Sequence, residues 1–350
     1  MVFPRFDVTG DTAREMLTYV HTANCQERRY LMFLFGRKKD EDPDTVTDDD
    51  IIVVHKPPPN ACGGTYATQR KSAPTEIESE DMVSFFAECS FRVCSFSDEI
   101  SEDERITFIS ASAEKAAQGT LLVLDKSIGY GSERSRPQCV LIKEDIFPGL
   151  VQLVREQQLA KGNGYHSNTA GLPENFGGSV DIRFSSGERI DYSNNQCPIF
   201  GIDTAIAIAK VFDTAMQGEK VPLPDVKDIE KIVYDEEREN GGFTKATLTL
   251  LPDGTGTNAK TSRYEDEKVY ESEKPVDAET ILKMKQNITN CLLFAWEGLP
   301  KREPVISNVS KKLTFLFKDG SELTVHDNCR LPYSISNGFF NIELEMTTKH

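Results

Sequence analysis

Positive charge is scarce in this chain: 40 Lys and Arg stand against 56 Asp and Glu, a formal net charge of −16 over 350 residues. A surface of that sign repels phosphate backbones and anionic headgroups, and the basic residues are scattered among acids. Nucleic acid and membrane are therefore not expected as partners. Long apolar runs are missing too. The longest one near the N-terminus, residues 30–35, falls far short of the roughly 20 residues a helical span needs. The start, Met-Val-Phe-Pro-Arg-Phe-Asp, lacks the basic and then apolar pattern of a secretory signal. The eight cysteines include no Cys-x-x-Cys pair. Reduced thiols in the cytoplasm are the expectation.

Recognisable chemistry is equally sparse. The five histidines (His21, His55, His166, His326, His350) do not lie at metal-ligand spacing from one another, and there is no His-Glu-x-x-His or phosphate-binding glycine loop. No metal and no cofactor is expected. His326, Asp327, Asn328 and Cys329 gather nucleophilic and basic types at a strand end. Residues three apart on a strand point to opposite faces, so His326 and Cys329 would not meet directly.

Periodicity predicts helices and strands in alternation. Thr12 to Glu15 is a capping box opening a helix, residues 30–35 read as a buried strand, and residues 36–50 form an acidic loop. Residues 51–54 read as a short strand, and Pro-rich residues 56–74 as linker. Ala87, Cys89, Phe91 and Val93 alternate with polar residues, a half-buried strand, and further strands fall at 106–108, 120–124 and 139–142. Asp145 and Pro148 open a helix that Gly162 is placed to end. A hairpin follows, then a helix opened by Asp203 whose apolar residues cover most of its circumference. After Pro222-Leu-Pro-Asp225 a similar order begins again, with a charged edge strand at 262–270, a helix capped by Asp277 and a second hairpin.

The two stretches share more than order. Phe184, Gly187, Ile190, Tyr192 and Asn195 pair with Phe317, Gly320, Leu323, Val325 and Asn328 at one constant spacing. Gly171-Leu-Pro173 pairs with Gly298-Leu-Pro300, and Thr120 to Leu124 with Thr247 to Leu251, at a shorter one. The fold class read from this is α+β: two related units of antiparallel sheet plus helix produced by internal duplication, with an N-terminal helix and strand extension. The domains expected are residues 1–74, the extension with acidic loop and Pro-rich linker; 75–221, the first unit; and 222–350, the second. Duplication predicts a helix at 334–346, whereas Phe340, Ile342, Leu344 and Met346 alternate as in a strand. The helix is adopted.

For function, the expectation is a non-catalytic binding or protein-interaction module with a groove between the two repeats, taking a protein or a small ligand. Its candidate contacts are Asn194, Asn195, His326, Asp327 and Asn328, just past the two hairpins, with Trp296 and His166. Asn also ends strands by bonding its own backbone, and Trp296 suits a core anchor at a helix end. The alternative is a hydrolase-type enzyme assembled from distant Cys, His and Asp loops, which would bring His166, His326, Cys197 or Cys329 within hydrogen-bond reach.

Overall fold

The computed structural model describes residues 50–56, 64–92, 105–129, 137–171, 176–238, 240–263, 268–299, 309–327 and 331–348. The helix expected from Thr12, the run at 30–35 and most of the acidic loop lie outside the described residues. Among those described, no helix is long and apolar enough to cross a membrane.

The chain is mixed sheet and helix, built on two sheets. In the first unit, four strands form an antiparallel meander: β3 (Met82–Ser90), β4 (Ile106–Ala116), β5 (Gly119–Ile128) and β6 (Gln138–Ile142). Helix α1 (Phe147–Glu156) follows, then the hairpin β8 (Gly178–Phe184) and β9 (Arg189–Asn194), then α2 (Ile202–Ala215). The hairpin folds back so that β8 pairs with β3. The second unit repeats this plan with β10 (Ile229–Arg238), β11 (Phe243–Leu250), β12 (Gly256–Arg263), β13 (Val269–Val276), α3 (Ala278–Asn290), β14 (Val309–Phe317), β15 (Glu322–His326) and α4 (Tyr333–Thr347). Here β14 pairs with β10, giving the order β13-β12-β11-β10-β14-β15.

The first sheet has three strands more: β1 (Ile51–His55), β2 (Thr65–Arg70) and β7 (Tyr165–Thr169), in the order β1-β2-β7-β9-β8-β3-β4-β5-β6. All pairings in both sheets are antiparallel except β7 with β9, which is parallel over two residue pairs. β1 is an edge strand whose Ile51, Ile52, Val53 and Val54 are all exposed.

The likeness of the units extends to local geometry. In each hairpin the last strand residue donates its N–H across the turn, Phe184 to Glu188 O (3.0 Å) and Phe317 to Ser321 O (2.9 Å). Gly187 and Gly320 occupy the left-handed region at φ 88° and 85° that the turn requires. The first strand of each meander is bulged at its start, between Met82 and Ser84 and between Ile229 and Lys231. After the first helix of each unit comes a 3-10 turn entered through a left-handed residue, Gln158 or Leu292. These two are the only non-glycine residues with positive φ among those described.

Each unit has its own core, with helices on one face of the sheet. Phe85, Ile109, Leu122, Ile182 and Ile190 meet Leu150, Val154, Ile208 and Phe212 in the first, and Ile232, Leu248, Phe315 and Val325 meet Ile281, Met284, Phe339 and Ile342 in the second. The second core also takes in Leu121, Val123 and Leu141, which stand on the opposite face of β5 and β6. The first sheet is thereby covered on both sides at this edge. Ala117 N–H donates to Glu297 O (3.3 Å) across the join, and Gly298, at φ 74°, lies so close that a Cβ there would meet Ala117 Cβ at 2.7 Å.

Several expectations need correction. Residues 65–70, read as linker, form β2, because their hydrogen bonds go to β7 far along the chain. β3 is buried on both faces rather than half-buried. α1 stops at Glu156, and Gly162 ends the 3-10 turn instead. The charged strand at 262–270 is the meeting of two strands, β12 and the exposed edge strand β13. Thr120 to Leu124 lies in the third strand of its meander and Thr247 to Leu251 in and just after the second of the other, so those segments do not correspond. Gly171 follows β7; the glycine placed like Gly298, just past the 3-10 turn, is Gly164. Residues 334–346 are helical, as adopted, inside α4.

Asp277 caps α3, its carboxylate accepting from Thr280 N–H at 2.8 Å, while Trp296 is wholly buried against Phe339. Urea denaturation should therefore separate two substitutions: Asp277→Ala lowers stability by about 1 kcal/mol, Trp296→Ala by about 3–5 kcal/mol. A Trp296→Ala cost as small as that of the cap would contradict its place in the core.

Candidate functional site

The residues singled out in the sequence fall on different sheets. His166 lies on β7 with Nδ1 3.1 Å from Ser193 Oγ on β9. At the end of β9, Asn195 clips the two parallel strands together. Its Oδ1 accepts from Thr169 N–H (2.7 Å), and its Nδ2 donates to Thr169 O (3.0 Å) and Asn168 Oδ1 (2.6 Å). Asn194 Oδ1 accepts from Gln196 N–H (2.8 Å) and its Nδ2 donates to Cys197 Sγ (3.3 Å). Gln196 Nε2 in turn donates to Thr65 Oγ1 (2.8 Å) and to Thr169 Oγ1. Asn194 thus bonds its own turn, whereas Asn195 bonds across to β7. Trp296 donates Nε1–H to Cys291 O (3.2 Å) inside the core. His326 and Asp327 close the second sheet's hairpin, His326 opposite Lys312, and Asp327 N–H donating to Lys311 O (3.3 Å). Asn328 lies outside the described residues.

A feature invisible in the sequence appears when the strands are set in register. Thr68, His166, Ser193, Ser179, Glu88, Ser110 and Asp125 stand side by side on seven successive strands from β2 to β5. They form an unbroken polar row on the face of the first sheet turned away from α1 and α2. Two residues further along β4, Ser112 faces Phe86; two further again, Glu114 faces Ser84. The row runs from half-buried at His166 to buried at Asp125. Ser84, Ser110, Ser112, Ser127, Glu114 and Asp125 are at most 6% exposed. Phe86 and Phe108, buried on the same face, belong to neither core.

Among the described residues, the hydroxyl oxygens of Ser84, Ser110, Ser112 and Ser127 have no hydrogen-bond partner. Each such group costs about 1–3 kcal/mol relative to a satisfied one. Arg183 and Arg189, at the corner of the same face, are paired with Asp181 and Asp191 at 2.6–3.3 Å.

The second sheet supplies a control for this row. The positions of Ser193, Ser179, Glu88, Ser110 and Asp125 in the common plan are held there by His326, Lys312, Asp235, Lys245 and Thr261. These side chains are half-buried or exposed, and Lys312 pairs with Asp235 at 3.6 Å. The place of the Lys312–Asp235 charge pair is held on the first sheet by the half-buried Ser179 and Glu88, and that of Lys245 and Thr261 by the buried Ser110 and Asp125.

Elsewhere in the second unit, a buried ionic group is fully engaged. Tyr234 OH donates to Glu236 Oε2 (2.7 Å), Arg238 donates to Oε1 (2.7 Å), and Lys311 pairs with Glu343 (2.5 Å). Burial raises the Glu236 pKa, but Lys311, the Tyr234 hydroxyl and Arg238 outweigh it and hold the carboxyl below its ordinary value. Burial, with Glu343 and Glu236 nearby, pushes Tyr234 far up, so it stays a neutral donor. Such a closed network specifies packing. Burial raises the Cys139 thiol well above the ordinary range, with Cys291 adding to it, and raises Cys291 to about 11, which keeps these two thiols protonated. Among the described residues, no group of three or more His, Cys, Asp or Glu could hold a metal ion.

Because the folded state holds the Glu236 pKa below its unfolded value, its charge stabilises the fold above the usual carboxylate range. That contribution is lost as pH falls through the depressed value. Urea midpoints measured from pH 7 down to pH 3 should fall on acidification, and Glu236→Gln should start lower at neutral pH and fall less. A parallel pair of curves would rule the linkage out.

No protein-family model matches the chain, and comparison with curated proteins finds no match.

Proposed function

We propose that this chain is a non-catalytic binding protein that holds a ligand against the outer face of its first sheet, beside the join with the second unit. The observation that carries this is the contrast between the two polar rows. Four buried hydroxyls without partners among the described residues, next to two buried carboxylates, are costly, and the places of Ser110 and Asp125 are held on the other sheet by the exposed Lys245 and the half-buried Thr261. A bound molecule that hydrogen-bonds to them would offset that cost. The extra strands β1, β2 and β7, absent from the second sheet, extend the half-buried end of this row through Thr68 and His166.

We further infer that the two units, residues 75–221 and 222–350, arose by duplication and that the site belongs to the copy that diverged. The shared strand order, hairpin hydrogen bonds and bulges support this. Among the described residues, the free thiols of Cys139, Cys197 and Cys291 support a reducing, cytoplasmic setting.

Alanine substitution tests the reading without knowledge of the ligand. Ser110→Ala and Ser112→Ala should leave the urea midpoint unchanged or raise stability by about 1 kcal/mol, since each removes an unsatisfied buried hydroxyl. Thr314→Val, which breaks a made hydrogen bond to Thr324 (2.9 Å) on the second sheet, should lower it by about 1 kcal/mol. If both serine variants lose stability as Thr314→Val does, their hydroxyls serve the fold and the binding reading fails.

A further inference from the structure

We propose that Asn240–Gly241, in the turn joining β10 to β11, is a site of covalent self-modification, where closure to a succinimide and its hydrolysis to an isoaspartyl link unlock the turn. The Gly241 nitrogen attacks Asn240 Cγ. The N–Cγ bond forms as the Cγ–Nδ2 bond breaks, and Nδ2 leaves as ammonia with the proton that Gly241 gives up. Water then opens the ring. Cleavage of the new N–Cγ bond gives aspartate. Cleavage of the original peptide bond leaves the chain running through the side chain of residue 240. A following glycine favours the first step, because no Cβ crowds the approach of its nitrogen.

The sequence holds three Asn-Gly pairs, at Asn163, Asn240 and Asn337, and the structure separates them. Asn163 is 1% exposed. Its Nδ2 donates to Pro74 O and Arg189 O (both 2.9 Å), its Oδ1 accepts from Asp191 N–H (2.8 Å), and Gly164 N–H donates to Asp191 O (2.9 Å). Asn337 lies inside α4, where Gly338 is packed so tightly that a Cβ there would meet Cys291 Cβ at 2.5 Å. Asn240 and Gly241 are exposed. Gly241 N–H donates to Arg238 O (2.9 Å) at a hairpin end, a bond that opens without disturbing the core. Asn240 Oδ1 accepts from Gly242 N–H (3.0 Å), which draws charge from Cγ and eases the attack.

Sister turns show which product the fold can hold. In four hairpins the residue before a left-handed glycine accepts, through its side chain, the N–H two residues on. Ser186 accepts from Glu188 (3.2 Å), Asn240 from Gly242 (3.0 Å), Asp253 from Thr255 (3.0 Å) and Asp319 from Ser321 (2.9 Å). Aspartate therefore fits the turn. An isoaspartyl link does not, because it adds a methylene to the backbone ahead of Gly241. That displaces the Gly241 carbonyl, which accepts from Arg263 Nε (3.1 Å) and Nη2 (2.5 Å). Arg263 in turn lies over the Phe243 ring, 5.3 Å from its centroid. Across the turn Arg238 donates to Glu236 (2.7 Å), so the strain reaches the buried ionic group of the second sheet.

The test is prolonged incubation of the full chain at mildly alkaline pH, followed by peptide mass spectrometry and labelling with an isoaspartyl-specific methyltransferase. In the folded chain Asn240 should convert at least about tenfold faster than Asn163 or Asn337, whose amides are freed only when core or helix opens. In urea the three rates should converge. Conversion should quicken as pH rises, since the Gly241 nitrogen must lose its proton. Aged protein should unfold at lower urea than fresh protein, whereas freshly made Asn240→Asp should match the fresh wild type, as the Asp253 and Asp319 turns lead one to expect. Asn240→Ser, which copies the Ser186 turn and cannot close the ring, should keep its urea midpoint through the same incubation. Conversion of Asn240 no faster than that of the other two pairs in the folded chain overturns the proposal. So does a midpoint that drifts as much in Asn240→Ser as in the wild type, or aged protein as stable as Asn240→Asp.

Discussion

Packing of the second core against the back of β5 and β6 is the constraint on which the rest of the molecule depends. Leu121, Val123 and Leu141 leave the surface of one sheet and enter the core of another unit. A sheet with helices on one face normally shows water its other face, and alternation of apolar and polar residues follows. Here that outlet is closed at one edge. Polar residues that belong to a wet face are carried into a dry one, and their chemistry changes without any change of residue type. Serine on the second sheet's plan would be unremarked. On the first sheet it is an unpaired hydroxyl.

The same packing explains why the two units differ where they do. Their hairpins, bulges and left-handed helix exits are alike, and each serves a local need: to return a strand to the start of its own meander. The strands β1, β2 and β7 answer a different one. They extend the first sheet away from the join, and Asn195 and Gln196 tie them on by side-chain bonds where the parallel backbone ladder lasts only two residue pairs.

Much of the fold was legible where the signal is local. Gly187 and Gly320 mark turns that need positive φ, and Asp277 marks a helix start that its carboxylate does cap. In α4, the alternation of Phe340, Ile342, Leu344 and Met346 competes with the helical series Ile335, Phe339, Ile342, Met346. The helix wins, burying the latter four and leaving Leu344 46% exposed. Long-range pairing was not legible. Nothing within residues 65–70 announces a partner at 165–169, so a strand passed for linker. The candidate site was hidden for the same reason. Ser110, Ser112 and Glu114 alternate with Ile109, Ala111 and Ala113 as they would in any strand with one wet face, and only the three-dimensional covering distinguishes them.

The polar row has a consequence for the order of events during folding. Its members come from strands distant in sequence: Thr68 and His166 lie at one end, Ser193 must sit beside Ser179, and Ser179 beside Glu88. Contacts of such separation close slowly, after the local hairpins have formed. No partly assembled chain carries the row, because a slip of one residue in any pairing turns its side chain to the opposite face. Any molecule bound there would stabilise only the finished structure and so hold the slowest pairings in place.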